Sequence, residues 1–212
     1  MSKKHFIAGL MAAGLAMGAQ AALVTLVNGS TLGLYNSGIG TVLNGTSAAF
    51  PGPGDPTLTF LTAPDLSPAA AALGNWLTTP STPGGTWGGS PQAIPASWTV
   101  GDETAIIYAI DAGAGLTGFN ASFGVDNGIF VWLNGVFMGG FMNPGGPVLG
   151  EFQFNVASLS GGTHYLQVLR EDHGGATGYL VNVTANTVPE PTTLALVALS
   201  LAGLGLMRRK PA

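Results

Sequence analysis

IFVWLNGVFM, residues 129–138, sets Asn134-Gly135 between two runs rich in β-branched and aromatic residues. Asn and Gly both tolerate the positive φ that a type I′ turn demands at its two central positions, so the stretch predicts a tight β-hairpin. The same pattern repeats on either side. Strands are expected at 98–100, 104–111, 116–125, 129–134, 136–141, 149–156, 163–170 and 178–184, with earlier ones at Leu23–Val27 and Thr31–Tyr35. Phe152, Phe154 and Val156 alternate with Glu151, Gln153 and Asn155, the period of a strand with one buried face. Many short strands separated by turn signals predict an all-β antiparallel sandwich or jelly roll. Ser47–Pro95 differs: PGPGDPT and TPSTPGGTWGGSP make it loop-rich, with one helical patch at Leu66–Leu77.

Charge is scarce and unevenly placed. Only 8 % of the 212 residues are charged, against roughly a quarter in an ordinary soluble domain. Lys3 and Lys4 sit at one end, Arg208, Arg209 and Lys210 at the other, and Arg170 alone lies between. From Ala22 to Val188, nine carboxylates accompany that one arginine, a formal balance of −8. Nucleic-acid binding is excluded on this ground, because it needs cations to displace counterions from phosphates. The expected product is an acidic body that repels anionic polymers unless divalent cations bridge them. Cysteine is absent, which removes thiolate metal sites and cysteine nucleophiles.

The two ends read as addresses. Residues 1–21 have a basic start, an apolar run from Phe6 to Met17, and small residues at Ala19 and Ala21, the pattern of a secretory signal helix cut by signal peptidase after Ala21. At the other end, Thr192–Met207 is uncharged and is expected to form a transmembrane helix. It is about 24 Å long, short of a hydrocarbon core of about 30 Å, and the basic cluster beyond it extends the reach and holds the cytoplasmic side. The expected organisation is therefore a signal peptide over 1–21, an exported β domain over 22–187 and a terminal segment over 188–212. That terminal segment places the chain in the inner membrane before processing.

Val188-Pro189-Glu190-Pro191, followed by the apolar run and by Arg208 and Arg209, resembles the PEP-CTERM sorting signal over about 25 residues. The resemblance implies a bacterial exported protein handled by an exosortase-like membrane enzyme that cuts near the tripeptide, in a setting of exopolysaccharide and biofilm. VDNGIFVWLNG, followed by HYLQVLREDHGGATGYLVNVT, is similar to galactose-binding-like jelly rolls.

Candidate sites in the body are few. Gly113, Gly115 and Gly118 match a dinucleotide fingerprint, but a strand pattern follows where a helix is required, so a hairpin loop is expected. Arg170-Glu171-Asp172-His173 is the densest charged cluster. Glu171 and Asp172 could coordinate structural calcium with Asp126 and Asn127, since hard cations take oxygen ligands. Acid–base chemistry with His173 is a second reading, and a strand end whose arginine is neutralised by its neighbours is a third. Trp76 and Trp87 are candidate sugar-stacking platforms, whereas Trp98 and Trp132 are expected in the core. His164 and His173 are the histidines left after signal removal, no catalytic motif is present, and no catalytic residue is assigned. The expectation is a non-enzymatic surface or matrix protein associated with exopolysaccharide. The alternatives are a carbohydrate-binding module and, more remotely, a polysaccharide hydrolase.

Overall fold

The Asn134-Gly135 turn forms as expected, with φ of 53° and 76°. It joins β7 (Gly128–Leu133) to β8 (Val136–Met142). The computed structural model describes residues 20–45, 50 and 56–189. The signal helix and the 192–207 helix lie outside the described residues, among which no helix is long and apolar enough to cross a membrane.

Two antiparallel sheets face each other. The smaller runs β1 (Leu23–Val27), β11 (Gly178–Thr187), β6 (Gly115–Asp126), β9 (Phe152–Ser160). The larger runs β3 (Leu58–Phe60), β8, β7, β10 (Thr163–Glu171), β5 (Glu103–Asp111), β2 (Leu32–Gly40), β4 (Gln92–Ala93). Between them lies a core built by alternation: Phe119, Ala121, Phe123 and Val125 of β6 meet Ile106, Tyr108, Val131, Leu166 and Val168 of the larger sheet.

The larger sheet is buried on both faces. Ala105, Ile107, Phe130, Trp132 and Leu169 point the other way and pack against Ile39, Leu43, Phe50, Leu73 and Trp76. This explains why β5, β7 and β10 read as nearly continuous apolar runs and not as alternation. The loop-rich stretch is thus a third layer over the sheet. Gln167, fully buried, ties the layers together: its amide donates to the Trp76 carbonyl at 2.8 Å, and its Oε1 accepts from Gly135 N at 2.9 Å.

Several local expectations fail for identifiable reasons. No strand forms at 98–100; instead Trp98 donates its indole N–H to the Asp102 carbonyl, and its backbone N–H goes to Thr177 Oγ1. The short strands β3 and β4 carry too few residues for a period of two to show. The helical patch shrinks to a 3₁₀ turn at Ser67–Ala69 and a helix at Ala70–Leu73. The strand expected at 149–156 starts later, at Phe152, because Glu151 Oε2 accepts from both Val125 N and Val148 N and holds the preceding residues in a turn.

The hairpin supplies a direct test. A Cβ on Gly135 would lie 2.5 Å from the Leu77 carbonyl oxygen, at a φ that L residues avoid. Gly135→Ala is expected to cost more than about 1 kcal/mol, read as a lower urea midpoint with unchanged slope.

Candidate functional site

Strand ends decide what gathers at one pole of the sandwich. β6 ends at Asp126, opposite Gly178 of β11, and β7 begins at Gly128, opposite Glu171 of β10. Asn127 lies between β6 and β7, joined to Asp126 by a cis peptide. Its backbone N–H donates to the Glu171 carbonyl at 3.1 Å, and its side-chain amide donates to Asp126 Oδ1 at 2.8 Å. Its Oδ1 accepts from His173 N at 3.1 Å, and His173 Nδ1 lies 3.2 Å from Glu171 Oε2. Asp126, Asn127, Glu171 and His173 therefore form one cluster. Asn143 joins it by donating its backbone N–H to the Asn127 carbonyl at 3.0 Å.

Asp172 does not join them. Its Oδ2 accepts from Gly101 N at 2.9 Å and from Gly174 N at 3.0 Å, so it closes its own turn. The calcium set suggested by the sequence is accordingly not assembled. Among the described residues, no group of three or more histidine, aspartate or glutamate side chains could hold a metal ion.

Arg170 goes a third way, into the space between the sheets. Its guanidinium carbon lies 4.2 Å from the Trp98 ring centroid, 4.8 Å from Tyr179 and 5.6 Å from Tyr35. Nε donates to Thr104 Oγ1 and one terminal nitrogen to the Pro95 carbonyl, at 2.8 and 2.9 Å. Successive side chains on a strand take opposite faces, so Arg170 and Glu171 cannot share an environment. The expected neutralisation by acidic neighbours is replaced by an aromatic cage, and Arg170 makes no ion pair among the described residues. Burial pulls its pKa below the ordinary arginine value, while the surrounding tyrosines oppose that shift.

The residue that sequence reasoning missed is Glu103. One step beyond the Arg170–Thr104 pair, the β10–β5 register sets it across from Glu171, on the same outer face. It is fully buried, and its Oε2 accepts from Leu43 N at 3.5 Å. Burial raises its pKa to about 7. Nothing local in the sequence signals this burial, which comes from the loop layer that packs Leu43 over this face of the larger sheet.

The tryptophans also change role. Trp76 is 2 % exposed, so it is a core residue and offers no sugar platform. It meets Trp132 edge-on at 5.2 Å and stacks on Trp87 at 5.9 Å. Trp87 is half-buried, and its indole N–H is committed to the Leu73 carbonyl at 2.9 Å. His164 is structural as well: Nε2 donates to the Ser160 carbonyl, and Nδ1 accepts from the Asn134 amide, each at 2.8 Å. No hairpin forms at the Gly113–Gly118 stretch: β5 and β6 lie in different sheets, so Gly113 and Ala114 form a short connection that crosses between them, and Gly115–Gly118 already belong to β6.

The cluster and the terminal segment occupy opposite ends of β11. Gly178 begins the strand beside Asp126, and Thr187 ends it roughly 30 Å away at about 3.3 Å per residue. There Thr187 N donates to the Ala22 carbonyl at 2.9 Å, Ala22 N donates to Thr187 Oγ1 at 3.1 Å, and Val188 N donates to the Gly115 carbonyl at 2.9 Å. The first residue after the expected signal cut and the first residue of the terminal segment are thus anchored at the same pole.

No curated protein matches the chain in sequence. Among solved structures, the chain is similar to Bifidobacterium dentium beta-glucuronidase complexed with coumarin-3-O-glucuronide, at 13 % identity and a TM-score of 0.39, over 72 % of this chain and 21 % of that one. The chain thus spans about a fifth of the glucuronidase. It is also similar to the PA14 domain of the MpAFP antifreeze protein, at 12 % identity and a TM-score of 0.35, over 78 % of this chain and 84 % of that one. A third similarity is to the PA14 sugar-binding domain from an RTX adhesin, at 12 % identity and a TM-score of 0.30, over 76 % and 94 %. Residues 187–210 match the PEP-CTERM protein-sorting motif. The chain therefore carries an exosortase-type sorting signal, which implies export, a processing enzyme as partner and a C-terminal membrane-anchoring segment.

Proposed function

We propose that this chain is an exported surface protein, released or re-attached by an exosortase-like enzyme, whose β-sandwich serves without catalysis in an exopolysaccharide-rich extracellular matrix. The observation that carries the reading is the junction at Thr187–Val188. The folded body runs directly into the sorting motif, and the last strand holds the polar cluster at the pole farthest from it. Signal peptidase would free Ala22, which is already docked on Thr187. Prolines at 189 and 191 keep the 188–191 stretch from joining the expected helix beyond it, which suits cleavage there by a protease. In the exporting cell, mass spectrometry is expected to find the body ending near Pro189. Replacing Pro189 and Glu190 together with alanine should leave the chain uncut in the membrane fraction, and equal processing of both forms would overturn the reading.

A second reading, a carbohydrate-binding module, is favoured by the cluster itself. Asp126 is 7 % exposed, and its carboxylate is oriented by the Asn127 amide, whose Oδ1 in turn accepts from His173 N. Oriented carboxylates and amides are the groups that select sugar hydroxyls. On a glycan array, saturable binding that Asp126→Ala abolishes and Trp87→Ala leaves intact would support it. Absence of binding to any glycan would leave the matrix role alone. Turnover of a polysaccharide would replace both with the hydrolase reading.

A further inference from the structure

Sheet edges present unpaired backbone donors and acceptors, and proteins blunt them with short strands, bulges, proline or charge, lysine above all. Three of the four edges here are blunted. In the larger sheet, β3 has three residues and β4 has two. In the smaller sheet, β1 is broken by a register shift between Thr25 and Val27. The fourth edge, β9, is nine residues long, FQFNVASLS, with no charge, proline or glycine. It pairs with β6 from Phe123–Phe152 to Gly115–Ser160 without a register shift. On its other side the Ser160 carbonyl accepts from His164, and no other backbone group of β9 has a partner among the described residues.

No charged side chain lies on this edge strand, contrary to what the −8 balance suggested, and the nearest carboxylates flank its two ends, Glu151 before it and Asp111 opposite Thr163 after it. Glu103, Asp126, Glu171 and Asp172 are buried, and the Glu151 carboxylate is committed to backbone N–H groups. Among the described residues the one cation, Arg170, is inside the sandwich. Across the outer face of the smaller sheet, Asn155, Asn120, Thr184 and Thr25 form a neutral rung that spans all four strands. Nothing there repels an identical rung.

We propose that the free edge of β9 is an interface for a second copy of this chain, whose own β9 adds antiparallel and continues the four-stranded sheet across the pair. A row of backbone N–H and C=O groups is complemented by another strand edge, and two identical antiparallel edges meet as a closed two-fold pair. The proposal is independent of any glycan ligand.

The test uses the full chain in detergent, by light scattering across a concentration series together with hydrogen exchange. A concentration-dependent dimer is expected, with slowed exchange of backbone amides in β9 and unchanged exchange in β1. Gln153→Lys with Ala157→Lys places two charges on exposed positions of the edge and is expected to weaken the dimer at least about tenfold. Thr25→Lys, on the opposite edge, should leave it unchanged. A monomer at every concentration would overturn the proposal. So would a dimer whose β9 amides stay unprotected, as association through the apolar termini would give. Equal weakening by Thr25→Lys would show a general charge effect and overturn it too.

Discussion

Arg170→Ala is expected to lower the stability of the body by about 3–5 kcal/mol, a large share of the 5–15 kcal/mol that holds an ordinary domain together. The guanidinium is fully buried between the sheets, where it touches three aromatic rings and donates to Thr104 and Pro95. Alanine would remove the cation–π contacts, leave the Pro95 carbonyl without its partner and open a cavity, and the three losses act at one place. Two further substitutions separate charge from volume. Arg170→Met keeps much of the volume and removes the desolvated charge, so it should cost less than alanine. Arg170→Lys keeps the charge but loses the planar fork that reaches both acceptors, so it should cost more than methionine. Urea midpoints at one pH give the order. If alanine costs under about 1 kcal/mol, the cage is not a stabilising element.

Glu103→Gln is expected to act in the opposite direction and to depend on pH. Burial raises the folded pKa from 4.5 to about 7, so between those values the folded chain holds a proton that the unfolded chain has released. The stability this proton supports is complete below pH 4.5 and declines as pH rises through about 7. Two and a half pKa units correspond to about 3 kcal/mol as an upper bound. At pH 8 the glutamine form should therefore be more stable than the native chain by up to that amount, with the two nearly equal at pH 4. The groups around Glu103 make the direction firm: Leu43 N is its one backbone donor from the loop layer, and Asp102 next to it opposes ionisation. Thermal midpoints from pH 4 to 8 decide it. Parallel curves for the two proteins would show that Glu103 does not titrate in this range.

The strands were legible because each is a local pattern. Leu23–Val27 is found at its expected bounds, and β5, β6, β8, β10 and β11 shift only by one to three residues at their ends. The hairpin at Asn134-Gly135 was legible for the same reason, since two adjacent residues suffice to define its turn. The candidate site was legible only in part. Asp126, Asn127, Glu171 and His173 share a pole because the two connections that cross between the sheets there, β6 to β7 and β10 to β11, lie side by side, and their closeness in sequence to those turns gave the clue. Asp172 and Arg170 misled because they adjoin Glu171 in the chain but face other directions, one into its own turn and one into the core. Trp76 and Trp87 misled because a Gly-Pro-rich stretch read as an exposed loop, while it is packed as a layer over the larger sheet.

By itself the sequence determined how this protein is sorted and what class of fold it takes. The sorting motif is a run of neighbouring residues, and strand periodicity is a property of neighbours in the chain, so neither needs tertiary contacts. Only the tertiary structure decided where the charge lies. Of the nine carboxylates and one arginine that promised an acidic surface, four carboxylates are drawn inside by strand ends and turns and the arginine by an aromatic cage. Burial depends on which strands pair and on which face each side chain takes, and that information is distributed over residues far apart in the chain. The same pairing left one long neutral edge open.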